Sequence, residues 1–206
     1  MAIIVQALRR ILKHRQIGLI RKNRFKTTLE IIQIMKNLNN LSKIKCFIFD
    51  YDGVLSDGKV YMLPTGEGLR KSDVKDGYAL HHAIKNGYNV AIISGGRGEC
   101  MRNRLKELGI TDIYLGVSYK KEVFEEYLEL NELSVDEVLY MGDDIPDYEA
   151  MQLAGIAACP ANSCEEIKSI SDYISPYLGG NGCVRDVIEQ VMKSQGKWMT
   201  DSAFIW

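Results

Sequence analysis

Carboxylates gather at two places in the sequence, and each place follows an apolar run. Asp50-Tyr51-Asp52-Gly53 comes directly after Ile44–Phe49, and Gly142-Asp143-Asp144-Ile145-Pro146-Asp147 directly after Glu137–Met141. A lone Asp in such a position commonly caps a helix or a turn. Two clusters that each leave a buried run are better read as ligands, because carboxylates that close repel unless a cation or a shared proton intervenes. Oxygens from Asp50, Asp52 and Asp143 suit a hard divalent ion, and Mg2+ takes oxygen ligands while keeping several waters. Ser94-Gly95-Gly96 follows a third run, and Lys120 opens a helix after a fourth, adding a hydroxyl and a cation. A metal-bound phosphate would fill another position on the ion, with the hydroxyl and the ammonium at neighbouring strand ends. Lys121 competes with Lys120 for that role. Asp57 and Asp76 stay open; Asp76 precedes a helix as a cap would, or else faces the site.

The elements that must position these groups alternate in type. Short apolar runs occur at Ile44–Phe49, Asn89–Ile93, Asp112–Leu115, Glu137–Met141 and Gly155–Ala158, with a weaker one at Asp172–Ile174. Between them, Gly77–Asn86, Gly98–Leu108, Lys120–Leu130, Asp147–Leu153, Ser163–Ser169 and Cys183–Lys193 have helical spacing. Strand and helix in alternation predict an α/β fold, a Rossmann-like parallel sheet with helices on both faces. Chemistry in such folds collects at the carboxyl ends of the strands, which is where these polar groups lie. One insertion breaks the rhythm: Lys59–Met62, Pro64-Thr65-Gly66-Glu67-Gly68, then Leu69–Val74 predicts a short β-hairpin at about 59–74.

Composition bounds the rest. A chain of 206 residues, 46% hydrophobic and 26% charged, is long enough to bury a core without metal or disulfide staples. No apolar run reaches the roughly 18 residues a transmembrane helix needs. Five cysteines without a close pair suggest reduced thiols and a cytoplasmic setting rather than a disulfide framework. The net charge of −1 hides an asymmetry. Eleven of the 26 Lys/Arg but one of the 27 Asp/Glu fall in residues 1–45, leaving that segment at +10 and the remainder at −11. Residues 1–42 are expected to form a basic helical extension, loosely attached or upstream of a start at Met35, with 43–206 as the folded domain. An acidic body argues against nucleic acid as a partner and fits phosphate chemistry if a divalent cation offsets the charge.

These motifs, in this order, resemble the haloacid dehalogenase superfamily of phosphotransferases, over roughly Lys43 to Lys197. The resemblance implies that Asp50 is a nucleophile that forms an aspartyl-phosphate. It makes Asp52 the acid and base for the leaving group and the water, with its backbone carbonyl on the metal. Ser94 would bind a phosphoryl oxygen, Lys120 would offset charge there, and Asp143 would ligate Mg2+. Asp144 and Asp147 would act through water or by orienting Lys120. Spacing within the family favours Lys120 over Lys121, which then reads as a solvated helix residue.

Too few residues separate the motifs for a lid domain, so the resemblance is to capless members. Asp52 to Gly58, Val74 to Tyr78, Gly142 to Asp147 and Gly179 to Asp186 are similar to 3-deoxy-D-manno-octulosonate 8-phosphate phosphatases, which act toward lipopolysaccharide. That likeness implies a homotetramer with central hairpins, and a C-terminal tail, residues 195–206, that covers a neighbour's site; the plainer reading of the tail is a frayed end. A sugar-acid phosphate would need anion binders, for which Gly95, Gly96, Arg70, Arg97, Arg104 and Arg185 are candidates. Relatives often carry Arg or Glu where this chain has Gly96, which leaves a nine-carbon sugar acid 9-phosphate as an alternative substrate. Two non-enzymatic alternatives are a phospho-acceptor module and a regulatory subunit without turnover. Asp52, placed to drive hydrolysis, argues against the first, and the complete motif set against the second.

Overall fold

The computed structural model describes residues 40–205. The basic extension expected over residues 1–42 therefore lies almost wholly outside the described residues, as does Trp206.

Six strands form one parallel sheet: β1 (Cys46–Phe49), β4 (Asn89–Ser94), β5 (Asp112–Leu115), β6 (Val138–Met141), β7 (Ile156–Cys159) and β8 (Tyr173–Ile174). Their spatial order is β5-β4-β1-β6-β7-β8. β1 is central and buried along its whole length, and it carries a different set of side chains to each face. Phe47 and Phe49 enter one core with Leu80, Leu105, Val187 and Ile188. Cys46 and Ile48 enter the other with Phe124, Tyr127, Met151 and Ile167. The period of two along a strand thus builds both cores at once.

Helices α1 (Val74–Lys85), α2 (Glu99–Glu107) and α6 (Cys183–Ser194) cover the first face; α3 (Lys120–Leu130), α4 (Tyr148–Leu153) and α5 (Glu165–Ile170) cover the second. In α6, Val184, Val187, Ile188, Val191 and Met192 recur at the spacing of one helical stripe, and all are buried.

The sequence places the start of α1 at Gly77, but the helix begins at Val74. Asp73 is the reason: its carboxylate accepts from the Lys75 N–H at 2.7 Å and the Asp76 N–H at 3.3 Å. Asp76 is consequently not the cap of its own helix. Buried in the first turn of α1, it accepts from the backbone N–H groups of Gly182 (3.1 Å) and Arg185 (2.7 Å), capping α6 from across the fold.

The inserted hairpin pairs β2 (Tyr61–Met62) with β3 (Gly68–Leu69), and a bridge between Ser56 and Ser72 closes its base. Val60, Tyr61, Met62 and Leu69 on it are exposed. The tail after α6 is fastened to its own chain rather than frayed. Trp198 is buried, edge-on to His82 and Tyr78, with the Arg185 guanidinium 5.1 Å from its ring. Tyr78 Oη then donates to the Ala203 carbonyl at 2.6 Å. Among the described residues no helix is long and apolar enough to cross a membrane.

Candidate active site

Asp50 is the first residue past β1, and its N–H still donates to the Met141 carbonyl, so the ends of β1 and β6 stay locked together. The chain then makes a wide turn over Tyr51–Leu55, closed by the Ser56 N–H to the Tyr51 carbonyl at 2.8 Å. Within that turn the Tyr51 N–H donates to Asp50 Oδ1 at 2.6 Å and fixes the carboxylate. Gly53 sits at φ +92°, and a Cβ there would come within 2.0 Å of Asp143 Oδ2. Glycine is therefore required for the two acidic turns to meet.

They meet around Lys120. From the first turn of α3, its Nζ reaches Asp147 Oδ1 at 2.7 Å and Asp50 Oδ2 at 3.0 Å, and the side chain is buried. Asp147 accepts further from Tyr140 Oη (3.0 Å) and from the Asp143 N–H (3.3 Å). One carboxylate oxygen from each of Asp50, Asp143 and Asp147 lies within 4.8 Å of the other two. Burial, aggravated by Asp147, raises Asp50 to about 6 against the pull of Lys120. Burial, then the charges of Asp50 and Asp147, raises Asp143 to about 7. Burial alone would favour neutral Lys120, but the two carboxylates outweigh it and hold the ammonium more firmly charged.

One ammonium does not balance this cluster. Asp143 Oδ1 is buried with no hydrogen-bond partner among the described residues. A buried orphan acceptor in a crowd of carboxylates costs free energy that a divalent cation would relieve. The oxygen donors thus fit Mg2+, with Asp143 and Asp50 offering side-chain ligands.

Asp52 points elsewhere. Its carboxylate accepts from Arg70 Nε (2.6 Å) and Nη2 (2.9 Å) and from Ser56 Oγ (3.1 Å), so the side chain is engaged away from the Lys120 cluster. Ser94, at the end of β4, is buried, and its Oγ accepts from the Gly96 N–H at 3.2 Å. Gly95 is exposed beside it. Asp144 is exposed and caps its own short turn, accepting from the Ile145 N–H at 2.9 Å. Lys121 is half-buried and Asp57 caps the Lys59 N–H. The four arginines separate. Arg70 holds Asp52. Arg104 lines a pocket of about 510 Å³ that runs from Arg70 and Tyr51 to α2. Arg97 donates to the Gly116 carbonyl at 3.1 Å, and Arg185 is stacked on Tyr78 and Trp198 and paired with Glu189.

A family model described as haloacid dehalogenase-like hydrolase matches residues 1–161. The chain belongs to the haloacid dehalogenase-like hydrolases. It is 37% identical over 154 residues to the 3-deoxy-D-manno-octulosonate 8-phosphate phosphatase KdsC of Escherichia coli, covering 75% of this chain and 82% of that one. The crystal structure of the Moraxella catarrhalis phosphatase of the same name, in complex with magnesium ion, phosphate ion and KDO, superposes with a TM-score of 0.77 at 34% identity. That match covers 82% of this chain and 95% of the other. The Yersinia pestis phosphatase gives a TM-score of 0.77 at 33% identity, covering 79% of this chain and 88% of the other. This haloacid dehalogenase-like hydrolase is accordingly an enzyme, a phosphoric monoester hydrolase with Mg2+ as its cofactor.

Sequence reasoning passed over Tyr140, which it took as one more apolar residue of β6. The available signal was a hydroxyl in an otherwise apolar buried run. It named Arg70 as an anion binder without foreseeing that the anion it meets within the chain is the Asp52 carboxylate.

Proposed function

We propose that the chain hydrolyses 3-deoxy-D-manno-octulosonate 8-phosphate to the free sugar acid and phosphate, in the cytoplasm, toward lipopolysaccharide. The observation that carries this reading is Lys120 bridging Asp50 and Asp147 beside the unsatisfied Asp143, in a chain similar to phosphatases of that name.

Each residue then has a task. An oxygen of Asp50 attacks phosphorus, forming an aspartyl-phosphate as the bond from phosphorus to the sugar oxygen breaks. Asp52 gives a proton to the departing alkoxide, then takes one from the water that cleaves the aspartyl-phosphate. Lys120, held in place by Asp147, offsets charge on Asp50 and on the phosphoryl oxygens. The Ser94 hydroxyl donates to one of those oxygens. Mg2+, held by Asp50, Asp143 and the Asp52 carbonyl, supplies the remaining positive charge. Tyr140 steadies Asp147; burial, then the charges of Asp147 and Asp50, keep its phenol protonated as a donor.

The exposed apolar side chains on the hairpin favour a homotetramer with hairpins packed together. The experiment that tests the function compares eight- and nine-carbon sugar-acid phosphates in the presence of Mg2+. The eight-carbon ester should be preferred, and Asp50→Asn should lower turnover on the order of 10³-fold or more. A higher kcat/KM for the nine-carbon ester would replace the substrate, and release of no more than one sugar acid per chain, with the phosphoryl group retained on the protein, would point to a phospho-acceptor.

A further inference from the structure

Arg70 stands on the hairpin just past β3, eighteen residues beyond Asp52, and its guanidinium meets that carboxylate fork to fork. Nε serves Oδ1 at 2.6 Å and Nη2 serves Oδ2 at 2.9 Å, while Nη1 turns back to the Gly68 carbonyl at 3.3 Å. Ser56 Oγ occupies Oδ1 as well, at 3.1 Å. Oδ1 thus carries two donors, and Oδ2 is held against the guanidinium with one lone-pair site remaining.

Residue 96 makes room for this pairing. A Cβ on Gly96 would lie 2.9 Å from Asp52 Oδ2 and 3.4 Å from Arg70 Nη2, so a larger residue would wedge the two apart. The guanidinium also forms one wall of the 510 Å³ pocket, whose other charged groups are Glu67, Glu99, Glu107 and Arg104. Any ligand carboxylate that enters this pocket meets a fork already shaped for a carboxylate. It can take the place of Asp52 at no loss of geometry.

We propose that Arg70 is a positioning residue that locks Asp52 in the substrate-free enzyme and is drawn off it by a carboxylate on the substrate. A phosphate ester carrying a carboxylate thereby frees Asp52 on binding; an ester without one must break the lock unaided. The inference rests on the reading of Asp52 and of a sugar-acid substrate given above, and it makes the second anion of the substrate a condition for fast turnover rather than a handle alone.

The test compares Mg2+-loaded wild type, Arg70→Gln and Arg70→Lys on 3-deoxy-D-manno-octulosonate 8-phosphate and on the carboxylate-free alkyl ester glycerol 3-phosphate, whose alkoxide needs a proton from Asp52 to depart. Arg70→Gln should raise kcat/KM for the carboxylate-free ester roughly threefold or more, the worth of a partly exposed ion pair. The same variant should lower kcat/KM for the sugar-acid ester on the order of 10- to 100-fold, chiefly through KM. Arg70→Lys, with a charge but no fork, should fall between the two on both esters. A parallel fall on both esters would show that Arg70 merely shapes the site and would overturn the lock, as would an unchanged KM for the sugar acid. Wild type that cleaves the carboxylate-free ester but not the sugar-acid ester removes the substrate reading by itself. The lock is then judged on the carboxylate-free ester alone, where a rise in Arg70→Gln sustains it and no rise removes it.

Discussion

Asp143 is the side chain whose surroundings fit its charge least. It is raised to about 7 by burial and then by its neighbours Asp50 and Asp147, and one of its oxygens has no partner among the described residues. A carboxylate held above its unfolded value of 3.8 binds more protons folded than unfolded through the interval between. Its contribution is therefore most favourable below pH ~4 and is lost as pH rises through ~7. Metal-free Asp143→Asn should in consequence unfold at a higher temperature than metal-free wild type at pH 7.5, with the gap closing near pH 4. Calorimetry on both proteins in chelator would show it. Adding Mg2+ should stabilise wild type and leave the variant nearly unmoved, whereas a gap that persists at pH 4 would mean that charge is not its source.

Among the elements, the junction of α1 and α6 carries the cores and the tail together. Asp76 reaches out of α1 to two N–H groups at the start of α6 through different oxygens, so helix packing and helix capping are one contact. Asp76→Ala should cost about 2 kcal/mol from the lost cap and the stranded donors. Asp76→Asn, which keeps one acceptor, should lose less. Urea titrations of the two variants test this, and an equal loss would mean that the one acceptor retained in Asp76→Asn contributes nothing. The hairpin is a different kind of element, being short, charged at Arg70 and apolar at its exposed positions, so its work lies at surfaces rather than in the core.

At the scale of the molecule, those exposed side chains belong to an assembly in the proposed reading. Replacing Met62 and Tyr61 by Glu should shift the protein from tetramer to smaller species in light scattering while leaving thermal unfolding of the subunit nearly intact. A wild-type monomer with full activity would defeat the tetramer. Trp198, clasped by Tyr78, His82 and Arg185, anchors the tail within one subunit and leaves Met199, Phe204 and Ile205 exposed. The tail thus has a fixed root and an apolar end available to a neighbour.

Much of this architecture was legible from local pattern. The apolar runs ending in Asp50, Ser94 and Asp143, and the helix opened by Lys120, were readable because burial imposes its period on each segment alone. The carboxyl ends of parallel strands then bring such residues to one rim. What the tertiary structure alone decided is which group touches which. Asp147 holds Lys120, Tyr140 steadies Asp147, Arg70 takes both oxygens of Asp52, and Asp76 caps a helix more than a hundred residues further along. Those partners are set by sheet order and by the approach of turns at Gly53 and Gly96, distances that no spacing within a single segment encodes.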